Sequence, residues 1–130
     1  MWPMIIFSHI LGDYYLQTQK MAILKGEDSI DGYAHCFIHS IIYSICIILP
    51  IMTFYASYFT SVIFGLWLFL GIFFSHFYID KYSLGAWFIK YIKGGPEINH
   101  SFYPSIYIVI DNSAHLFLMW MILRFMGFPI

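Results

Sequence analysis

Apolar residues fall along this chain in long blocks separated by short polar stretches, the pattern of a helical protein. Residues about 3–24 predict a helix with Pro3 near its start, apolar in its first half and polar in its second. The segment Lys25-Gly26-Glu27-Asp28-Ser29-Ile30-Asp31-Gly32 is dense in charge and glycine and predicts a solvated loop. A second helix follows over about 32–55, with Pro50 as a kink or near-terminal break. A short uncharged turn at 56–60 leads to a third helix over about 61–81. Residues 82–93 differ: Leu84, Trp87, Phe88 and Tyr91 share one face and Lys90 and Lys93 lie off it, as in a short helix lying in a membrane interface. Breakers crowd the loop from Gly94 to His100, and a last helix spans about 103–126 until Gly127 and Pro129 end it. No repeat of fixed period and no low-complexity tract interrupts this order.

Crossing a hydrocarbon core takes about 20 apolar residues, and at least three of these blocks supply them. Hydrophobic residues make up 61% of the chain and charged ones only 10%, against about 25% charged in a soluble domain. The expected fold class is therefore all-α: a polytopic membrane four-helix bundle, one integral domain over residues 1–130, with a short interfacial helix between the third and fourth helices. The first 24 residues do not read as a signal peptide, because Met1-Trp2-Pro3-Met4 lacks a basic region and Asp13, Gln17 and Lys20 interrupt the apolar run. A net charge of −1 excludes a basic nucleic-acid-binding surface. Cys36 and Cys46 lie too far apart along one predicted helix to pair with each other.

The ionisable residues inside the apolar blocks come in pairs one helical turn apart: His9/Asp13, His35/His39, His76/Asp80 and Asp111/His115. Residues i and i+4 share a face, so each pair points one way from its helix. Up-down connectivity brings the end of the first and third helices and the start of the second and fourth into one leaflet, with the pairs roughly 5 to 15 Å below the interface. Charge buried in hydrocarbon needs a partner. One His–Asp pair alone is most simply an interhelical hydrogen bond; four in one leaflet point to a shared metal or proton-handling site. Mixed imidazole and carboxylate ligands suit zinc, manganese or iron, and helical bundles build two-metal sites from facing helices. Eight ligands exceed the needs of one tetrahedral ion, so two divalent ions clamping a phosphoryl group are expected.

Asp13, Asp80 and Lys81 are the candidate catalytic residues, Lys81 because it adjoins Asp80. Gln17 and Asn112, with Ser75 and Ser113, are candidates to orient the ligands. Lys20, Lys81, Lys90 and Lys93 would surround the mouth and favour an anionic substrate or lipid head group. The lysines read otherwise as topology determinants, His100 as a plain loop histidine, and the aromatic residues as chiefly lipid-facing.

His9-Ile10-Leu11-Gly12-Asp13-Tyr14-Tyr15-Leu16-Gln17-Thr18-Gln19, His35 to His39, His76-Phe77-Tyr78-Ile79-Asp80-Lys81 and Asp111 to His115 resemble, in order and over nearly the whole chain, the motifs of the domain-of-unknown-function 3307 family of small bacterial and phage membrane proteins. The first motif of that family carries an aspartate-aromatic pair followed by Leu-Gln, matched here by Asp13-Tyr14 and Leu16-Gln17. Its last motif often has Asp-Gln before the histidine, where this chain has Asn112. The resemblance implies the motif set and no reaction. The His-x-x-x-Asp helix end is more loosely similar to membrane-bound metal-dependent hydrolases, an analogy only.

The leading expectation is a metal-dependent hydrolase acting on a phosphoester-type bond in a lipid or other anionic substrate, in the plasma (inner) membrane, with its partners the bilayer and, in a homodimer, a second copy of the chain. A metal-ion or proton transporter, and a non-enzymatic protein whose polar cluster fixes helix packing, stay open as alternatives. A di-iron oxidase is disfavoured because only one His-x-x-x-His is present. Lys20, Lys25, Lys81, Lys90 and Lys93 all fall on the site side and Arg124 on the other, which turns the site toward the cytoplasm.

Overall fold

A computed structural model describes residues 1–58, 62–94 and 100–129. The regular elements among the described residues are all helical: α1 (Trp2–Ile10) running into a π-helical turn (Leu11–Tyr15), α2 (Gln19–Leu24), α3 (Ile30–Phe54), a 3₁₀ turn (Ala56–Tyr58), α4 (Val62–Lys81), α5 (Leu84–Phe88) running into a second π segment (Ile89–Lys93), and α6 (Tyr103–Phe125). Three of them, α3, α4 and α6, are long and apolar enough to cross a membrane.

The continuous first helix expected over about 3–24 is broken. Leu16 N–H reaches back to the Leu11 carbonyl at 3.0 Å, closing a π turn, and Thr18 is extended, its Oγ1 accepting the Met21 N–H to cap α2. Close packing forces the turn to sit where it does: a Cβ on Gly12 would lie 2.9 Å from Tyr43 Cδ2 on α3. The loop expected at 25–32 is shorter, because Ser29 accepts the Gly32 N–H at 3.0 Å and starts α3 at Ile30. Helix α3 continues past Pro50 to Phe54. The helix expected over 82–93 is present as α5 and its π segment, entered through Ser83 in the left-handed region. Part of the turn expected at 56–60, the start of the third helix at Ser61, and most of the Gly94–His100 loop lie outside the described residues.

On each main helix one stripe at i,i+4 spacing is polar at one end and apolar at the other. It runs His39, Tyr43, Ile47, Ile51 on α3, Asp80, His76, Ile72, Leu68 on α4, and Asp111, His115, Met119, Leu123 on α6. The apolar ends, with Ile5 of α1, form the core. Phe128 closes it: Gly127 takes φ +83°, Phe128 N–H bonds the Leu123 carbonyl at 3.0 Å, and the Phe128 ring turns inward, fully buried.

Candidate metal centre

Antiparallel α3 and α4, with α6 alongside, bring the polar ends of the three stripes together, and α1 delivers His9 and Asp13 to the same place. His39, His76 and His115 are buried, as is Asp80, while Asp13 is only partly covered. The Tyr43 ring stacks on His76 at a centroid distance of 3.6 Å and forms the floor between site and core.

Four ligand-type atoms converge. His39 Nε2 lies 3.2 Å from Asp13 Oδ1, 3.2 Å from Asp80 Oδ2 and 3.0 Å from His76 Nε2. His76 Nε2 lies 3.3 Å from Asp13 Oδ1 and 3.2 Å from Asp80 Oδ2. An ion held about 2.0–2.1 Å from each of four tetrahedral ligands places them about 3.3–3.4 Å apart. Five of the six edges of this tetrahedron are therefore within a few tenths of an ångström of what a zinc-sized cation requires. Two imidazole nitrogens facing each other across 3.0 Å have at most one proton to share, whereas one cation satisfies all four atoms at once. The residues fit a divalent metal.

A second group, Asp80, Asp111 and His115, adjoins the first through the Asp80 carboxylate. His115 Nε2 is 3.4 Å from Asp80 Oδ1 and 3.7 Å from Asp111 Oδ2. Asp80 Oδ1, Asp111 Oδ1 and His115 Nε2 are buried without a hydrogen-bond partner. His115 Nδ1 lies 3.1 Å from His76 Nδ1, so one proton serves both nitrogens.

Asn112 donates its amide to the Ile108 carbonyl and the Tyr14 hydroxyl, which turns its oxygen toward His9 Nε2 at 2.6 Å. That nitrogen of His9 must then carry a proton. His9 Nδ1 sits 3.0 Å from the Tyr43 hydroxyl and 3.2 Å from Asp13 Oδ2. With the ring neutral, Nδ1 accepts from the Tyr43 hydroxyl, and His9 packs behind Asp13. Gln17 lies on the other side: in the amide orientation that satisfies both its ends, it donates to the Asp13 carbonyl and accepts from His39 Nε2 and Lys25 Nζ, each at 3.0 Å.

Other expected members are not brought to the cluster. His35 bonds the Asp31 carbonyl at 2.7 Å on the outer side of α3. Lys81 donates to the Glu27 carbonyl and lies over the Tyr33 ring, tying α4 to the loop before α3 rather than reaching Asp80. Ser75 and Ser113 bond back to their own helices, at Ile72 and Val109. His100 is exposed and accepts the Phe102 N–H. The lysine at the site is instead Lys25, whose Nζ is 2.8 Å from Asp80 Oδ2. Burial alone would lower the pKa of that ammonium, but the Asp80 carboxylate outweighs it and raises it. Nothing in the local sequence marks Lys25, which sits in a charged loop beside Gly26 and Glu27.

Beside the cluster is a cavity of about 250 Å³ lined by Asp13, Tyr14, Gln17, Lys25, Tyr107 and Asp111, among others. His39, His76 and Asp80 lie behind it, so Asp13 is the one member of the four-atom group that faces the opening.

Comparison with known proteins gave no match to a curated protein and none to a solved structure, so the looser likeness to membrane-bound hydrolases gains no support. A family model does match, over residues 2–129. The chain belongs to the family described as protein of unknown function (DUF3307).

Proposed function

We propose that this chain is a membrane metalloenzyme that holds a divalent ion between His39, His76 and Asp80 and hydrolyses a phosphoester-type bond in a lipid or other anionic substrate. The observation that carries the reading is the set of five separations of 3.0–3.3 Å among four ligand atoms drawn from three separate segments of the chain. Helices α3, α4 and α6 cross the membrane, α1 and its π turn make a shorter fourth member, and α5 lies along the interface near the site mouth, which faces the cytoplasm.

Charge bookkeeping favours one ion over the two expected from ligand count. With ionised carboxylates and neutral imidazoles, Asp13, Asp80 and Asp111 contribute three negative charges and Lys25 one positive, leaving two, which a single divalent ion neutralises. The proton shared by His76 and His115 argues the same way, since both imidazoles cannot ligate through Nε2 while each keeps a proton on Nδ1.

Three buried ligands with a fourth position toward a cavity is the layout of a catalytic rather than a structural site. When bound, the ion supplies Lewis-acid polarisation of a phosphoryl oxygen. Asp13, which faces the cavity beside the His39, His76 and Asp80 ligand atoms, would take a proton from an attacking water. Lys25 faces the same space and offers a positive charge to an anionic group. Asp111 lines the same cavity and, with His115 Nε2 3.7 Å from its carboxylate, would hold a proton for the leaving group.

Transport through the same residues is disfavoured at the far end, where Ile47, Ile51, Leu68, Ile72, Met119 and Leu123 pack with no buried ionisable side chain among the described residues. The test is elemental analysis of protein purified without chelators, joined to release of phosphate or head group from vesicles of phosphatidic acid or phosphatidylglycerol. About one ion per chain and chelator-sensitive release are expected. A metal-free parent that is folded, with its His and Asp side chains bonded only to one another, overturns the reading.

A further inference from the structure

We infer that the slot between α5 and α6 holds one acyl chain of an anionic membrane lipid, whose head group reaches the adjoining polar cavity. The slot has a volume of about 460 Å³ and is walled by Leu84, Trp87 and Phe88 on α5 and Ile110 and Ala114 on α6. Its hydroxyl-bearing member, Ser113, spends its proton on the Val109 carbonyl at 2.6 Å. A cavity so lined recognises hydrocarbon and not a polar ligand.

What makes the slot more than an apolar dent is where it ends. Gly85 lines it, and a Cβ on Gly85 would lie 3.1 Å from Asp111 Oδ1 and 3.3 Å from the Tyr107 ring. Asp111 and Tyr107 also line the polar cavity that holds Lys25 and Asp13. Gly85 and Asp111 are thus the seam between a hydrocarbon-sized slot and the charged cavity. A molecule filling both spaces is an amphiphile with its polar junction at this seam. Lys25 and the proposed ion give its head group a negative sign, and only that sign rests on the metal reading. The fit narrows the substrate class to a lipid rather than a free phosphoester.

Lipid retention, read by native mass spectrometry of the purified full chain after incubation with equimolar phosphatidylglycerol and phosphatidylcholine, tests this directly. The parent is expected to keep phosphatidylglycerol in preference. Ala114→Phe and Ser113→Phe, which fill the slot, should lose retained lipid while helix content and metal content stay at the parent's level. Lys25→Gln should keep lipid but lose the preference for the anionic one. If Ala114→Phe does not fold, Ser113→Phe decides, because residue 113 is exposed on the slot side of α6. Retention of lipid at the parent's level by the slot-filling variants, or a parent that keeps neither lipid, overturns the inference. The two readings fail separately: a metal-free parent whose slot variants still lose lipid sinks the enzyme and leaves the slot. A metal-loaded parent whose slot variants keep lipid does the reverse.

Discussion

The Lys25 ammonium lies 2.8 Å from Asp80 Oδ2, across fifty-five residues of chain. This contact ties the segment after α2 to the end of α4, and it makes Lys25 a built-in cation for the acidic cluster. A lysine and a divalent ion draw on the same carboxylate, so each weakens the hold of the other.

Lys25→Gln should therefore destabilise the metal-free protein and sharpen its response to metal. Removing one partner of a buried pair costs about 3–5 kcal/mol, and because the Lys25 side chain keeps 18% exposure a loss of about 1–3 kcal/mol is expected. Thermal unfolding in detergent, with and without zinc, reads both effects. Zinc should raise the unfolding temperature more in the variant than in the parent. Lys81→Gln, whose ammonium engages the Glu27 carbonyl and the Tyr33 ring, should leave metal content unchanged. Equal loss of metal from both variants would contradict the assignment of Lys25 to the site.

Asp13 and Asp80 should differ in kind. Asp80 is 1% exposed in its side chain and touches His39, His76 and Lys25, so Asp80→Asn is expected to empty the site. Asp13→Asn keeps three buried ligands and should retain most of the metal while losing turnover. Metal content and lipid head-group release, measured on the same preparations, separate the two. Parallel loss of both quantities in both variants would place Asp13 among the essential ligands and remove its proposed role as base.

Gly12 is where the π turn packs against Tyr43 of α3. Its missing Cβ would meet Tyr43 Cδ2 at 2.9 Å and Tyr43 Cα at 3.2 Å. Gly12→Val should push the π turn away from α3 and carry Asp13 with it, at a stability cost of about 1–3 kcal/mol. Metal affinity should fall although no ligand has changed, and circular dichroism should stay helical. Unchanged affinity in Gly12→Val would show that the π turn does not position Asp13.

The convergence of His39, His76, Asp80 and His115 was legible from sequence because it follows from helical spacing and antiparallel connectivity, both of which are local. Asp13 was legible for the same reason, and its pairing with His9 survives in the π turn. Membership was harder to read than direction. His35 stands one turn before His39, about 40° around the helix from it, and its ring bonds the Asp31 carbonyl instead. Proximity in sequence misplaced the lysine: Lys81 adjoins Asp80, yet neighbours on a helix point apart, and the ammonium that reaches Asp80 arrives from a distant loop. The break at Leu16–Thr18 escaped because no proline or glycine marks it, only a threonine cap and the steric demand of Tyr43 on Gly12.

Lys20, Lys25, Lys81, Lys90 and Lys93 lie at the site end of the helices, and Arg124 lies at the other. Short loops rich in lysine stay in the cytoplasm, so the site end should be cytoplasmic. Ser57 and Lys93 are both exposed; Ser57 follows the far end of α3, and Lys93 ends the π segment that leads toward the site end of α6 in the chain order. In a background with Cys36 and Cys46 changed to serine, Ser57→Cys should react with a membrane-impermeant maleimide added to intact cells, and Lys93→Cys should react only after the cells are opened. The reverse pattern would turn the site outward. It would also change the proposed substrate, since the acyl slot beside α5 would then draw on the outer leaflet.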